Sequence, residues 1–88
     1  MDSVIQTYQK ADPVELDEVL AKAKELARRH EVLSVEHNEF PMEVRQPNGW
    51  WTTKTVTGWQ IVYDITGKAT GKVPEPRDIL AIHNKHHS

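Results

Sequence analysis

The segment from Phe40 to Ile65 predicts a β-hairpin and constrains the fold more than any other part of the chain. It consists of two runs rich in apolar residues, joined at Pro47-Asn48-Gly49. Asn-Gly favours a tight hairpin turn, because both residues tolerate the positive φ angles that such a turn requires. In the second run the apolar residues occupy every other position, which places them on one face of a strand. They are Trp59, Ile61, Tyr63 and Ile65.

A helix is predicted before the hairpin, at residues 13–30. Asp12 suits the N-cap position, Pro13 the first helical position and Glu15 the third, which together form a capping-box pattern. Apolar residues then recur at helical spacing, so one side of the helix should cover a face of the sheet. These residues are Leu16, Val19, Leu20, Ala23, Leu26 and Ala27, and His30 continues the same spacing.

Two short strands, 32–37 and 42–46, are predicted between this helix and the turn. The apolar rows on the two sides of Asn38-Glu39 have opposite parity, so a bulge, bend or loop is expected there. Pro41 also favours a break, because it cannot donate a hydrogen bond to a central ladder. A further irregularity is expected in the return strand at Gly58.

The two ends of the chain give weaker signals. Residues 1–11 fit either a short helix or an edge strand. A closing helix is expected from about 77 to 86, because Pro76 suits its first turn. Three histidines would then share one helical face at the spacing of metal ligands, but they lie where a helix frays. They are His83, His86 and His87.

These elements predict an α+β fold in the order α-β-β-β-α. We expect a small two-layer domain with a three-stranded or four-stranded antiparallel sheet, one long helix (13–30) covering it and a short C-terminal helix. Its 88 residues leave room for one hydrophobic core, so residues 1–88 should form a single domain. Residues 1–11 and 84–88 are the candidates for flexibility.

Composition excludes several classes of protein. The chain has no cysteine, which rules out a disulfide scaffold and thiolate metal sites. It lacks the charged and apolar regions of a signal peptide and any apolar run long enough to span a membrane. We therefore expect a cytoplasmic protein. Its net charge of −2 is distributed unevenly, because residues 1–44 carry ten acids and five bases, whereas residues 45–88 carry three acids and six bases.

No motif in the chain specifies a reaction. Residues 66–72 repeat Thr-Gly-Lys, but a phosphate-binding loop needs four residues between its glycines and a hydroxyl residue after its lysine. Here three residues separate Gly67 from Gly71, and Val73 follows Lys72. None of the three serines lies in a nucleophile motif. We expect a protein that is not an enzyme and uses neither a cofactor nor a metal.

The tryptophan-rich hairpin is the best candidate for a functional surface. Trp50 and Trp51 are adjacent, so on a strand they point to opposite faces and only one can reach the core. Trp51 shares the parity of Trp59 and is expected inside, which leaves Trp50 for an interface. The structural alternative is that Trp50 packs across the hairpin on Arg45 or Val44.

Two functions follow from this surface. The first is a small protein-binding module, an adaptor or inhibitor that docks on a larger protein partner. The second is nucleic-acid binding, since aromatic and basic residues together suit single strands. A homodimer is a further option, and no membrane partner is expected. The interface candidates are Trp50, Trp51, Arg45, Lys54, Lys68 and Lys72.

Overall fold

The structure is a computed structural model that describes residues 2–82, and it has the expected α+β class. Its elements are β1 (Ile5–Ala11), α1 (Leu16–Ala27), β2 (Glu31–Arg45), β3 (Trp51–Asp64) and β4 (Arg77–Asp78), and residues 79–82 are helical. The strands form one sheet in the order β1-β3-β2-β4. Strands β1 and β2 are antiparallel to β3, whereas β4 is parallel to β2. The sheet is therefore four-stranded and mixed, and the prediction that it is entirely antiparallel is wrong.

Helix α1 is shorter than predicted, with 12 residues instead of the span 13–30. Its N-cap is Glu15, and no side chain caps its first turn. Asp12 does not serve as the cap, because its backbone N–H continues the sheet and donates to the Thr57 carbonyl at 2.9 Å. The helix ends at Ala27, whose carbonyl accepts a hydrogen bond from the Gly71 N–H at 3.0 Å.

Strand β2 is one continuous strand, so the predicted division into 32–37 and 42–46 is wrong. The apolar rows differ in parity because Phe40 and the apolar residues after it lie on the opposite side of β2 from Val35, and no bulge separates them. The irregularity of this strand lies earlier, between Val32 and Ser34, and Leu33 is exposed there. From Ser34 onwards the pairing with β3 runs without a shift, past Asn38-Glu39 and past Gly58. Pro41 has no N–H to donate, but no described strand pairs with the outer edge of β2 at this position. β4 pairs with that edge only at residues 36–37, so Pro41 is tolerated.

The hairpin turn is present at Pro47-Asn48-Gly49, but it is not the predicted tight turn with positive φ at both Asn48 and Gly49. The Gly49 N–H donates to the Gln46 carbonyl at 2.9 Å, and the Gln46 N–H donates to the Trp50 carbonyl at 2.7 Å. Gly49 has a φ of 90°, whereas Asn48 has a negative φ. This is a three-residue loop in which a type I turn precedes a glycine in the left-handed region, a common alternative to the two-residue turn.

The core lies between α1 and one face of the sheet, which we call the helix side. From the apolar faces of the predicted helix and strand, we expect Leu20, Leu26, Trp59 and Ile61 to be largely buried. Ile61 and Leu26 are buried, whereas Leu20 and Trp59 are only half-buried. The ambiguous N-terminal segment forms strand β1, which pairs with β3 over seven residues, and Tyr8 packs against the same cluster. The buried residues of the cluster are Val19, Ala23, Leu26, Ala27, Val32, Val35 and Ile61.

Candidate functional site

A two-stranded extension of the hairpin is the most prominent candidate site. Pairing of β1 with β3 ends at Gly58, and β4 pairs with β2 only at residues 36–37. Beyond these points β2 and β3 pair with each other over seven residue pairs, from Glu39 with Thr57 to Arg45 with Trp51, and the one backbone hydrogen bond described from the end of β1 is that of the Asp12 N–H to the Thr57 carbonyl. We call residues 39–57 the arm, and the four-stranded part with α1 the body. At about 3.3 Å per residue, the arm extends roughly 20 Å beyond the body.

Both tryptophans at the end of the arm are exposed, Trp50 by 73% and Trp51 by 59%. The expectation that Trp51 lies in the core is therefore wrong, although its parity was assigned correctly. Trp51 lies on the helix side, but α1 packs on the body and leaves the end of the arm uncovered. Instead the guanidinium of Arg45 lies over the Trp51 ring, with Cζ 5.8 Å from the ring centroid. The cross-strand contact of Arg45 is thus with Trp51.

The two faces of the arm differ in character. On the helix side, Thr53, Thr55 and Thr57 of β3 face polar residues and Pro41 of β2. On the opposite side, Trp50 shares its parity with a row of mostly apolar residues. Phe40 is buried there but does not belong to the core cluster, and the other apolar members are half-buried. That row contains Phe40, Met42, Val44, Lys54 and Val56.

The basic candidates do not form one patch. Arg45 and Lys54 lie on the arm, whereas Lys68 and Lys72 belong to the loop after β3, whose Gly71 bonds the end of α1. The 14 residues of β3 separate the two ends by roughly 40 Å. Within the arm, two acids (residues 39 and 43) balance the two bases, so its formal charge is zero.

A histidine at the base of the arm forms a second cluster, which sequence reasoning missed. The His37 ring lies between two carboxylates, with Nε2 2.6 Å from Asp12 Oδ2 and Nδ1 3.1 Å from Asp78 Oδ1. The Thr57 hydroxyl donates to the same Asp12 oxygen at 3.3 Å, and the Trp59 ring centroid is 5.2 Å from that of His37. Asp12 and Asp78 are 25 and 41 residues away in the chain, so no local pattern could have indicated this cluster.

The environment of His37 favours its charged form. Partial burial lowers its pKa, but hydrogen bonds and charges from Asp12 and Asp78 outweigh that effect and raise the pKa above its ordinary value of 6.5. The pKa of Asp78 is lowered, first by the hydrogen bond from the Ala81 backbone and then by His37. A protonated ring donates from both nitrogens and has no free lone pair, so in this state His37 cannot act as a general base.

The remaining features give little support to bound small molecules or metals. A cleft of about 250 Å³ lies between β2 and the helical residues, lined by Asn38, Glu39, Ile79 and Leu80. It is smaller than the roughly 300–1,000 Å³ typical of ligand pockets. Within residues 2–82, no three histidine or acidic side chains are arranged to hold a metal ion. The predicted histidine face (His83, His86 and His87) lies outside the described residues.

Helices in the described part of the chain are all too short or too polar to cross a membrane. Comparison of the chain with protein-family models, with curated proteins and with solved structures gives no match. The arm and the histidine cluster are therefore the features of this chain that bear on its function.

Proposed function

We propose that the protein is a small, non-catalytic protein-binding module, an adaptor or inhibitor that docks on a larger cytoplasmic protein through its arm. The observation that carries this proposal is the exposure of Trp50 and Trp51 on opposite sides of the end of the arm. Tryptophan is among the residues that contribute most to protein interfaces, because a large ring loses much water-accessible surface when a partner covers it. If the projecting hairpin inserts into a groove of the partner, the two rings on its opposite sides would contact the two walls of that groove.

Local hydrogen bonds hold this end of the arm in shape before any partner binds. The Trp50 N–H donates to Asn48 Oδ1 at 3.1 Å, and the Gln46 side-chain amide donates to the Thr52 hydroxyl at 2.7 Å. A surface that is already ordered loses less conformational entropy on binding. The arm is therefore suited to docking as a rigid element.

Charge favours a protein over a nucleic acid as the partner. Nucleic-acid affinity depends on several lysines and arginines that neutralise neighbouring phosphates. The arm has no net charge, and Lys68 and Lys72 lie at the other end of β3. These four basic residues cannot follow one short strand together with the exposed tryptophans.

Capture from a lysate of the source organism tests the proposal, with three baits compared side by side. The baits are the wild-type protein, a double variant with Trp50→Ala and Trp51→Ala, and a control with Val4→Ala and Ile5→Ala. The control removes two exposed aliphatic side chains from the other end of the sheet. We expect one protein to be recovered in constant ratio by the wild type and the control, and lost from the tryptophan variant.

The affinity for the recovered protein then measures the effect. Loss of both rings should weaken the dissociation constant by about 30-fold or more, equivalent to roughly 2 kcal/mol for an interface hot spot. Affinity should change little between low and moderate salt. A steep loss of affinity with increasing salt, or recovery that nuclease treatment abolishes, would show that the partner is a nucleic acid. Recovery of the chain itself would identify the homodimer.

A further inference from the structure

The C-terminal part of the described chain pairs with the sheet over a very short stretch. We call residues 77–82 the strap, which comprises β4 and the helical residues 79–82. Only two of its residues pair with β2, Arg77 with Glu36 and Asp78 with His37. A strand this short contributes few ladder hydrogen bonds, so side-chain contacts must decide whether the strap stays docked.

The histidine cluster supplies such a contact. Asp78 Oδ1 accepts a hydrogen bond from the Ala81 N–H at 3.0 Å, which orders the helical residues, and it also lies 3.1 Å from His37 Nδ1. On the other side of the ring, His37 Nε2 reaches Asp12, which is fixed by the backbone and hydroxyl of Thr57. One imidazole ring therefore connects the strap to the β1–α1 connection and to the start of the arm.

The charges around His37 make this connection dependent on its proton. Asp12 and Asp78 face the ring, and β3 contributes only the uncharged Thr57 and Trp59. The other charged groups nearby are Glu39 and Glu36 on β2, Arg77 on β4, and Lys10 of β1, which pairs with Glu18 of α1. A protonated ring donates to both carboxylates, whereas a neutral ring has a single N–H and leaves one carboxylate facing a lone pair.

We propose that His37 is a pH-dependent latch, whose protonated ring holds the strap on β2 and whose deprotonation releases it. Release removes β4 from the edge of β2 at residues 36–37 and opens the cleft beside Asn38 and Glu39. The latch lies at the base of the arm, but it does not depend on what the arm binds. It is a conformational device in the free protein.

The direction of the pH response follows from the two pKa shifts. His37 has a raised pKa, so its contribution to docking is complete below pH 6.5 and is lost as the pH rises through its folded pKa. Asp78 has a pKa below its ordinary 3.8, so its contribution is lost only when the pH falls through that lower value. The strap is therefore docked in acid down to about the pKa of Asp78, and it is released on the alkaline side.

Methyl NMR spectra recorded from pH 5.5 to pH 9 test the latch. The methyl groups of Ile79 and Leu80 report on the strap, those of Val35 and Ile61 report on the body, and the His37 ring carbons report its protonation. We expect the strap methyls to move towards unfolded-chain positions with the midpoint of the His37 titration, while the body methyls stay in place. The docked-to-released ratio should fall about tenfold for each unit by which the folded pKa exceeds 6.5.

Three variants separate the latch from other titrations. With His37→Gln, the strap should be released at pH 5.5 and show no transition. Asp78→Asn should move the His37 midpoint to lower pH in a folded body, which keeps the test valid if the first variant fails to fold. His30→Gln is the matched control, since His30 stacks on Tyr63 instead, and it should behave as the wild type. Strap methyls that remain docked to pH 9, or a transition that persists in His37→Gln, would overturn the proposal.

Discussion

The body and the arm are built from the same two strands, yet their side chains have opposite environments. In the body, Val35 and Ile61 face each other across the ladder and are 1% and 0% exposed. In the arm, Arg45 and Trp51 face each other on the same side of the sheet and are both exposed. Strand pairing is continuous between the two regions, so the difference must come from the layer that covers them.

The length of α1 explains where that cover ends. Twelve helical residues span about 18 Å, whereas the 14 residues of β3 span more than about 40 Å. The helix can therefore cover less than half of the hairpin. The predicted helix of residues 13–30 would have been half as long again. The expectation that Trp51 lies inside rests on its parity with Trp59, which does not show how far along the hairpin a helix reaches.

Apart from the buried Phe40 near its base, the arm lies beyond the cover of α1 and depends on its backbone ladder and on pairs of neighbouring side chains. Its return strand is rich in β-branched residues, which favour the extended conformation even on an exposed surface. Cross-strand pairs add roughly 0.2–1 kcal/mol each. The β-branched residues are Thr52, Thr53, Thr55, Val56 and Thr57.

The largest effect is expected in the body, at Ile61. Ile61→Ala removes a fully buried side chain that lies under α1, and it should lower the free energy of unfolding by about 2–5 kcal/mol. Val62→Ala is the matched control, because Val62 is adjacent, points to the opposite side and is half-buried. Urea unfolding measures both. Equal losses would mean that the helix side is not the principal core and that the comparison fails.

A smaller loss is expected where body and arm meet, at Gly58. A Cβ atom here would lie 2.2 Å from the Lys10 carbonyl oxygen and 2.8 Å from the Ala11 Cα, both backbone atoms that cannot move easily. Gly58→Ala should push the end of β1 away and cost about 1–3 kcal/mol, as overpacking does. Urea unfolding gives the cost, and amide hydrogen exchange should show faster opening in β1 than in β2. An unchanged midpoint would show that β1 is not closely packed at this position.

Local signals predicted the hairpin well but not the positions that depend on distant contacts. The alternating residues up to Tyr63 and the turn at Gly49 are properties of neighbouring residues, and both are present. The capping pattern at Asp12 is equally local, but the carboxylate is bound by His37 and Thr57 instead. A local pattern cannot show that a residue is used elsewhere in the fold.

The candidate site was predicted in part, for a related reason. Parity correctly placed Trp51 on the same side as Trp59, but parity says nothing about whether a helix reaches that point. The same limit applies to the basic residues: Lys54 and Lys68 are close in sequence, yet an intervening strand carries them far apart. An interface that combines basic residues with the two tryptophans therefore remains a prediction for Arg45 and Lys54, but not for the lysines of the loop after β3.

The smallest effect is expected at the end of the arm, where the comparison is sharpest. Trp50→Ala and Trp51→Ala both remove large rings, yet they should change stability far less than Ile61→Ala, since exposed substitutions usually fall within about 0.5 kcal/mol. Trp51→Ala should cost more than Trp50→Ala, because only Trp51 has the Arg45 guanidinium over its ring. Exposed contacts of this type are worth about 0.5–1 kcal/mol.

A double-mutant cycle isolates that contact. Arg45→Ala, Trp51→Ala and their combination should show a coupling of about 0.5 kcal/mol, whereas Arg45→Ala combined with Trp50→Ala should show none, because Trp50 lies on the other side of the arm. Unfolding in urea at low and moderate salt supplies the four free energies of each cycle. If either tryptophan substitution costs as much as Ile61→Ala, that ring is part of the core. The arm would then be an extension of the body and could not serve as a separate docking element.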